Sequence, residues 1–311
     1  MKKLEEVSIQ RNRKINKIEL LKQEQEPLTF WDNFENICSN NYEELKPIHE
    51  KYLLKCFGIY DKGSHNSFTL RIRVPLGQLI AHQAEKLADI SKKYGKSSID
   101  LTTRGQIEFR NLNLQELPIV LKELESVGIT TFQTAGDNFR GVVTSALDGY
   151  SKTSLITCED CINDIHDVFL KNPEYIGTLP RKFNTGILGD SINDCNIYGH
   201  DCAFVLAKKD EELGFNLYLG GKVGVQARPI NIFVKPREVK QTFKTIVDLF
   251  KKYGFRDNRN KNRLTYFLDE VGIEEFKEAI IKTSKLDLKT AGILLVKDEY
   301  KIDNTSTIKL K

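Results

Sequence analysis

Basic side chains occur in four groups along this sequence, each close to the end of a predicted strand or in a loop. The groups are Arg71 with Arg73, Arg104, Arg140 two residues after Asn138, and Arg181 with Lys182. Taken singly, a basic residue at a strand end is usually a solvated surface charge. Converging guanidinium and ammonium groups are different, because their paired, charge-assisted hydrogen bonds are strong. The set therefore indicates binding of a ligand with many carboxylates or of a small oxyanion.

A β-α-β-β-α-β order of elements would position the first two of these groups. The hydrophobic pattern predicts strands at 67–74, 98–101, 106–109 and 129–133, and helices at 78–94 and 114–127. This order is the split βαβ, or ferredoxin-like, arrangement. Because residues two apart in a strand share a face, Arg71 and Arg73 should point to the same side of the sheet. Arg104 should lie in the hairpin turn that follows the second strand.

A larger mixed α/β domain is predicted after this unit. Its expected helices are 158–170, 239–253 and 264–281, and its expected strands are 182–188, 202–207 and 215–219, the last followed by Gly220, Gly221, Lys222 and Gly224. The predicted fold class is thus α+β, a ferredoxin-like domain followed by a larger mixed domain. The predicted parts are a helical arm over 1–60, the ferredoxin-like domain over 61–135, the larger domain over 136–283, and a linker or tail over 284–311. The arm, with a helix at 43–60, should pack along the domain that follows it.

Composition excludes several classes of protein. The 311 residues include 47 Lys and Arg and 43 Asp and Glu, and this small excess of positive charge does not indicate nucleic-acid binding. No apolar stretch approaches the ~20 residues that a membrane span needs, and none follows the N-terminal lysines as in a signal peptide. Six scattered cysteines do not resemble a secreted disulfide framework. We therefore expect a cytoplasmic globular protein with no membrane and no nucleic-acid partner.

Short motifs in a fixed order connect the basic groups. They are LRIRVPLG at 70–77, LTTR at 101–104, GDNFR at 136–140 and LPRKF at 179–183, with KCFGIY at 55–60 before them and RLTY at 263–266 after them. This succession, over residues 50–283, resembles the N-terminal half of the sirohaem-dependent nitrite and sulfite reductases. The resemblance implies that the two domains are the ferredoxin-like and the sirohaem/4Fe-4S-type domains of that family.

The resemblance also implies roles for individual residues. Residues expected to contact sirohaem are Arg71, Arg73, Arg104, Asn138, Arg140, Gly220, Gly221 and Lys222. The catalytic residues, facing nitrite or sulfite, would be Arg73, Arg140 and Lys182. The glycines would let the backbone approach the macrocycle, and a simple β-turn is an equal alternative for them. The implied reaction is the six-electron reduction of nitrite to ammonium or of sulfite to sulfide. Ferredoxin or a similar protein would donate the electrons, and the basic run at 256–263 is either its docking patch or a solvated surface.

The sequence departs from the family pattern at three motif positions. Gly105 stands where the family has glutamine, Gly141 where it has asparagine, and Asn184 where it has a second lysine. These departures favour an alternative function, a non-catalytic module that binds or assembles tetrapyrroles. A relative of precorrin-pathway enzymes is a third, weaker alternative.

The cysteines do not follow the family pattern for its [4Fe-4S] cluster. The C-x5-C and C-x3-C motifs that hold the cluster are absent. A metal site made from the other cysteines, Cys158, Cys161, Cys195 and Cys202, is not favoured, because the first two lie in a predicted helix outside the basic motifs. Free thiols are the simpler interpretation of these four residues. The expected cofactor is therefore sirohaem, with the cluster ligands supplied by a C-terminal half that lies outside this chain.

Overall fold

The structure is a computed structural model that describes residues 1–61, 63 and 66–297. Its α-helices are α1 (Lys2–Arg11), α2 (Lys17–Glu24), α3 (Pro27–Asp32), α4 (Phe34–Ser39), α5 (Leu54–Cys56), α6 (Ala81–Lys93), α7 (Leu117–Glu125), α8 (Glu159–Phe169), α9 (Val239–Tyr253), α10 (Leu264–Val271) and α11 (Ile273–Ser284). Its strands are β1 (Ile59–Asp61), β2 (Phe68–Ile72), β3 (Asp100–Leu101), β4 (Ile107–Leu112), β5 (Phe139–Val143), β6 (Phe183–Leu188), β7 (Cys202–Lys209), β8 (Glu212–Leu219), β9 (Arg228–Val234) and β10 (Ile293–Leu294). No described helix is both long enough and apolar enough to cross a membrane.

The first sheet has the strand order β1-β2-β4-β3, and every neighbouring pair is antiparallel. Apolar residues of β2 and β4 face each other in register, as with Leu70 and Phe109, and both are fully buried. Buried leucines of α6 and α7 pack into the same core. The predicted order of strand, helix, two strands and helix is thereby confirmed.

The predicted strand at 129–133 is wrong. Only Thr130 bridges to the sheet, opposite Arg73, and β1 forms most of that edge instead. The cause is the turn at Gly58, which has φ +81° and lies so close to Thr134 that a Cβ would be 2.4 Å from its hydroxyl. The backbone N–H of Gln133 then donates to the carbonyl of Cys56 (2.7 Å) and draws the chain away from β2. The helix predicted at 43–60 accordingly ends at α5 and gives way to a strand.

The second sheet follows the order β5-β6-β7-β8-β9, with parallel pairing from β5 to β7 and antiparallel pairing from β7 to β9. Helices α8 and α9 contribute buried aromatic and aliphatic side chains to its core, among them Phe169 and Phe243. The sequence pattern missed β5 and β9. It also merged α10 and α11, which Gly272 separates with a φ of +95°.

The predicted arm and tail are not peripheral. Leu4 of α1 is fully buried in the core of the second domain, whereas Phe30 of α3 is fully buried in the first. The arm thus spans both domains rather than lying along one. In the predicted tail, β10 pairs with β7 and Val296 is buried, so residues up to 297 pack against the second sheet. The rest of that tail, 298–311, lies outside the described residues.

Candidate functional site

Four cations from separate segments come together where the two domains meet: Arg104, Arg140, Lys182 and Arg263, here called the cation face. Burial and the positive charges of Arg263, Arg140, Arg181 and Arg104, in that order, lower the pKa of Lys182 to about 8. Mutual effects of this kind require short distances between charges. The structure thus joins three of the predicted basic groups, and it adds Arg263.

Parallel pairing of β5 and β6 explains how two of these side chains meet. Phe139 is in register with Phe183, so Arg140 and Lys182, on opposite sides of that pair, lie at the same end of the sheet. Arg104 reaches them from the turn between β3 and β4, as predicted. That turn is closed by the backbone N–H of Thr102, which donates to the carbonyl of Gln106 (2.8 Å).

The cation face has too little negative charge around it. Arg263 forms a bidentate pair with the buried Asp201 (2.8 and 2.7 Å). Arg140, in contrast, donates to the carbonyls of Thr134 (2.8 Å) and Gly136 (2.7 Å) and interacts with the side chain of Tyr60, but it has no carboxylate partner and its buried Nε has no partner within the described structure. Burial lowers the pKa of Arg140 to about 10, with further contributions from Arg104 and Arg71.

Arg104 and Lys182 likewise have no ion pair with any carboxylate of the described ranges. Burial and neighbouring cations lower the pKa of Arg104 as well. Arg140, Arg104 and Lys182 are therefore held together against their own repulsion, and a bound anion would relieve it.

The chain itself contacts the guanidinium groups of both Arg71 and Arg73, although Nη1 of Arg73 is buried and has no hydrogen-bond partner within the described residues. Arg71 is paired with Glu108 (2.8 and 2.6 Å), and its guanidinium lies 5.0 Å from the ring centroid of Tyr60. Arg73 is only 2% exposed and donates to the carbonyl of Phe132 (3.2 Å). Its guanidinium also lies 4.6 Å from the ring centroid of Phe139, behind the strand that carries Arg140. Contact of Arg73 with a ligand stays a prediction, since the structure shows it supporting β5 from within.

Asn138 and the glycine cluster are occupied by the chain itself. The Asn138 side chain is fully buried, donates to the carbonyl of Ala135 (2.7 Å) and accepts from the N–H of Gly177 (2.6 Å). The residues Lys222 and Val225 exchange backbone hydrogen bonds of 2.9 Å, which close a turn over 222–225, just after Gly220 and Gly221. The Lys222 ammonium lies 5.6 Å from the ring centroid of Tyr266.

Gly221 is packed closely against the backbone, so a side chain has no room at this position. A Cβ at this position would lie 2.3 Å from the carbonyl oxygen of Tyr198 and 2.4 Å from that of His200, and backbone cannot retreat as a flexible side chain can. We expect Gly221→Ala to lower the free energy of unfolding by about 2–3 kcal/mol, within the range for overpacked sites. Gly224→Ala is the control: its φ is +77° but nothing lies within 4 Å, so only about 1 kcal/mol should be lost. Urea unfolding measures both, and equal losses would contradict the packing role.

Two of the three departures from the family pattern, Gly105 and Gly141, have local explanations, and nothing in the structure explains Asn184. Gly105 has φ +61° and faces Gly77, so a side chain there would strain the turn. A Cβ on Gly141 would lie 2.7 Å from the Gln106 amide, which is buried and hydrogen-bonded to both the N–H and the carbonyl of Val74. Asn184 is buried beside Lys182, and its Oδ1 has no partner in the described part of the chain.

Asp137 is a buried hub that the sequence analysis missed. Arg259 forms a bidentate pair with it (both 2.8 Å), Lys22 lies 3.0 Å away, and Arg181 is 3.7 Å away. Burial alone would raise the pKa of Asp137, but Lys22 and Arg259 outweigh it and hold the pKa at about 2. The basic run at 256–263 is consequently not a solvated patch throughout, because Arg256, Arg259 and Arg263 each pair with a buried acid.

The residues that the structure describes fit a ligand rich in carboxylates but do not fit an iron–sulfur cluster. The unpaired cations and the orphaned Nε of Arg140 are suitable donors for carboxylate or oxyanion oxygens. Over the described ranges, no three His, Cys, Asp or Glu side chains are grouped so that they could hold a metal ion. Cys158 and Cys161 lie at the start of α8, and burial raises the pKa of Cys161 to about 11, which keeps that thiol protonated.

Comparisons with known proteins agree with the order of the two domains. The nitrite/sulfite reductase ferredoxin-like half domain matches residues 60–127, and the nitrite and sulphite reductase 4Fe-4S domain matches residues 135–288. A ferredoxin–nitrite reductase of Synechococcus elongatus is 34% identical over 290 residues, which are 90% of this chain and 56% of that protein. A ferredoxin sulfite reductase of Mycolicibacterium paratuberculosis is 31% identical over 224 residues, 71% of this chain and 40% of that protein.

A solved structure shows the same fold. The NirA protein of Mycobacterium tuberculosis superposes with a TM-score of 0.83 at 24% identity, covering 91% of this chain and 56% of that one. The chain spans about half the length of the curated relatives that it matches.

Proposed function

This chain belongs to the nitrite and sulfite reductase family, and from that premise we propose that its cation face binds sirohaem carboxylates and a small oxyanion, nitrite or sulfite. In this proposal the chain is the N-terminal half of a reductase that converts nitrite to ammonium or sulfite to sulfide. A cytoplasmic location is part of the proposal, supported by six free thiols, as expected in a reducing compartment.

The observation that carries the proposal is the set of cations without carboxylate partners. Arg104, Arg140 and Lys182 lie together, whereas the neighbouring Arg71 and Arg263 each have a carboxylate of their own. Burial, followed by the positive charges of Arg263, Arg140, Arg181 and Arg104, lowers the pKa of Lys182 to about 8. An anion bound between Arg104, Arg140 and Lys182 would be attracted by all three and would relieve the repulsion among them.

The chain's own contribution to the chemistry is binding, orientation and proton supply. Sirohaem, when bound, supplies the electron transfer to the substrate. Arg104 and Arg140 would hold carboxylate or oxyanion oxygens with charge-assisted hydrogen bonds. Lys182 would carry a proton on Nζ that it can release near neutral pH. It could therefore act as a general acid, which is needed when the oxygen of the substrate departs as water. Arg73 would keep β5 and therefore Arg140 in place.

The [4Fe-4S] cluster would be held by residues outside these 311. The relatives are about twice as long as the matched region, and the described residues provide no cluster site. We propose a C-terminal half with the cluster cysteines as the partner, and ferredoxin or a similar protein as the electron donor. Nitrite and sulfite remain equivalent for this chain, because both anions would use the same cations.

Co-expression tests the proposal. The chain, produced with a sirohaem supply and the C-terminal half of a relative, should co-purify with the absorbance of sirohaem. Arg104→Met should lose most of that absorbance. Arg110→Met is the matched control, since Arg110 lies on the same hairpin but pairs with Asp100 at the surface. Absence of sirohaem from the wild-type complex would contradict the proposal.

A second function, tetrapyrrole binding without turnover, is favoured by Gly105, Gly141 and Asn184. The lysine lost at the position of Asn184 is a cation that the resemblance places on the substrate side of the site. The same complex separates the two functions: retained sirohaem with no reduction of nitrite or sulfite by reduced ferredoxin would support the binding module.

A further inference from the structure

We propose that α2 acts as a latch that fixes the segment 177–182 and thereby positions Lys182 in the cation face. This inference rests on the proposed function of that face, and it assigns to the N-terminal arm a part in building the site. The latch consists of Glu19 and Lys22 of α2 together with Asp137 and Arg256.

The two carbonyl groups just before Pro180 are both held by cations of this set. The carbonyl of Thr178 accepts a hydrogen bond from Arg256 Nη2 (3.0 Å), and that of Leu179 accepts one from Lys22 Nζ (2.7 Å). The N–H of Leu179 donates to the carbonyl of Asp137 (3.2 Å). Because proline restricts its own φ and the conformation of the residue before it, fixing Leu179 restricts the path of the next residues. Lys182 is only three residues beyond this anchor.

Charges alternate through the latch. Arg256 pairs with Glu19 (2.5 Å), Glu19 with Lys22 (2.6 Å), and Lys22 with Asp137 (3.0 Å). Glu19 is 5% exposed and Asp137 is 2% exposed, so water screens these pairs weakly and each charge depends on its neighbours. Loss of one member would therefore loosen the whole series rather than a single contact.

The sequence of α2 determines where the helix begins and which of its residues face the other members of the latch. Asn16 caps the helix by accepting from the N–H of Ile18 (2.9 Å), and its amide donates to the carbonyl of Arg256 (2.6 Å). Glu19 and Lys22 are three residues apart, so they lie on one face of the helix, towards the second domain. The cap thus joins the helix to the same loop that supplies Arg256.

Lys182 needs such a restraint because its surroundings repel it. Arg263, Arg140, Arg181 and Arg104 all face its ammonium, and burial removes part of its hydration. A free side chain would relax into water, where its pKa would return towards the ordinary value of 10.5. Held in place by the latch, it stays beside Arg140.

The protonation of Lys182 reports the state of the latch directly. We would label the full chain with acetic anhydride over a range of pH and read acetylation of Lys182 by mass spectrometry. In the wild type, half-maximal labelling should occur near pH 8. Lys22→Met should raise this midpoint by at least one pH unit, and Lys22→Arg should restore most of it. Lys17→Met, an exposed position on the same helix, should leave the midpoint unchanged.

A gentler variant covers the case in which Lys22→Met does not fold. Asn16→Ala removes the cap and the bond to Arg256, and it should move the midpoint in the same direction by a smaller amount. A folded variant of either kind that keeps the wild-type midpoint would overturn the latch. The labelling needs no sirohaem, so failure of the proposed function, seen as absence of sirohaem from the complex, remains a separate result.

Discussion

Replacing Asp137 with asparagine is expected to lower the free energy of unfolding by about 3–5 kcal/mol, the range for removing one partner of a buried ion pair. The variant keeps the shape of the side chain but leaves the nearly buried Lys22 and the partly exposed Arg259 around a neutral amide. Arg181, 3.7 Å away, would lose the same carboxylate. Urea denaturation at pH 7 measures the change.

The pH dependence of stability should change in the same variant. The folded-state pKa of Asp137 is about 2, below its ordinary value of 3.8. A depressed carboxyl pKa stabilises the fold above the unfolded value, and this stabilisation is lost as the pH falls from about 4 through about 2. The difference corresponds to about 2 kcal/mol in the wild type. Asp137→Asn should lack this component.

Asp248 provides the control, because its carboxylate also accepts hydrogen bonds, from Tyr175 (2.7 Å) and Lys244 (2.6 Å), but is 37% exposed. Asp248→Asn should cost less than about 1 kcal/mol, as is usual for exposed pairs. Similar losses at the two positions would show that burial does not give Asp137 its importance.

Lys182→Met should reduce the rate of nitrite reduction by the reconstituted complex on the order of 10²-fold, the lower end of what a general acid contributes. The wild-type kcat/KM, which reports the enzyme before the anion binds, should fall as the pH rises through about 8, because Lys182 then loses the proton and charge on Nζ. The variant should be slow at every pH and lack this decline. Steady-state rates between pH 6 and 10 measure both effects.

Two further variants separate charge from other effects of the substitution. Lys182→Arg keeps the positive charge, so its rate should not decline near pH 8 even where its geometry slows the reaction. Lys240→Met removes a surface lysine that pairs with Asp164 and should behave as wild type. A Lys182→Met complex with the wild-type pH profile would exclude Lys182 as the titrating group.

The fold could be predicted where the hydrophobic pattern was local. The helix predicted at 239–253 is α9, because its apolar residues follow the helical period without interruption. The sequence pattern did not reveal strand β5, because all five of its residues are buried and the strand shows no alternation of buried and exposed positions. The strand expected at 129–133 failed for a tertiary reason, since the turn at Gly58 captures that part of the chain.

The site could be predicted in its residue types but not in its pairing. The motifs identified Arg104, Arg140 and Lys182, and the structure brings these three together. They could not indicate that Arg73 would be covered by Phe139, or that Arg71 would be neutralised by Glu108. The ion pairs of Asp137 could not be predicted from the sequence, because its partners Lys22 and Arg259 are more than a hundred positions away on either side.

The position of the arm has a consequence for the order in which the chain assembles. The first sheet pairs segments close in sequence, such as β1 with β2, so it can form while later residues are still being synthesised. The first part of the arm, α1 and α2, cannot dock so early, because Asn16 binds the carbonyl of Arg256 and Lys3 pairs with Glu275. The residues synthesised first are therefore among the last to find their places, and the segment that carries Lys182 acquires its final anchor only after residue 256 has emerged.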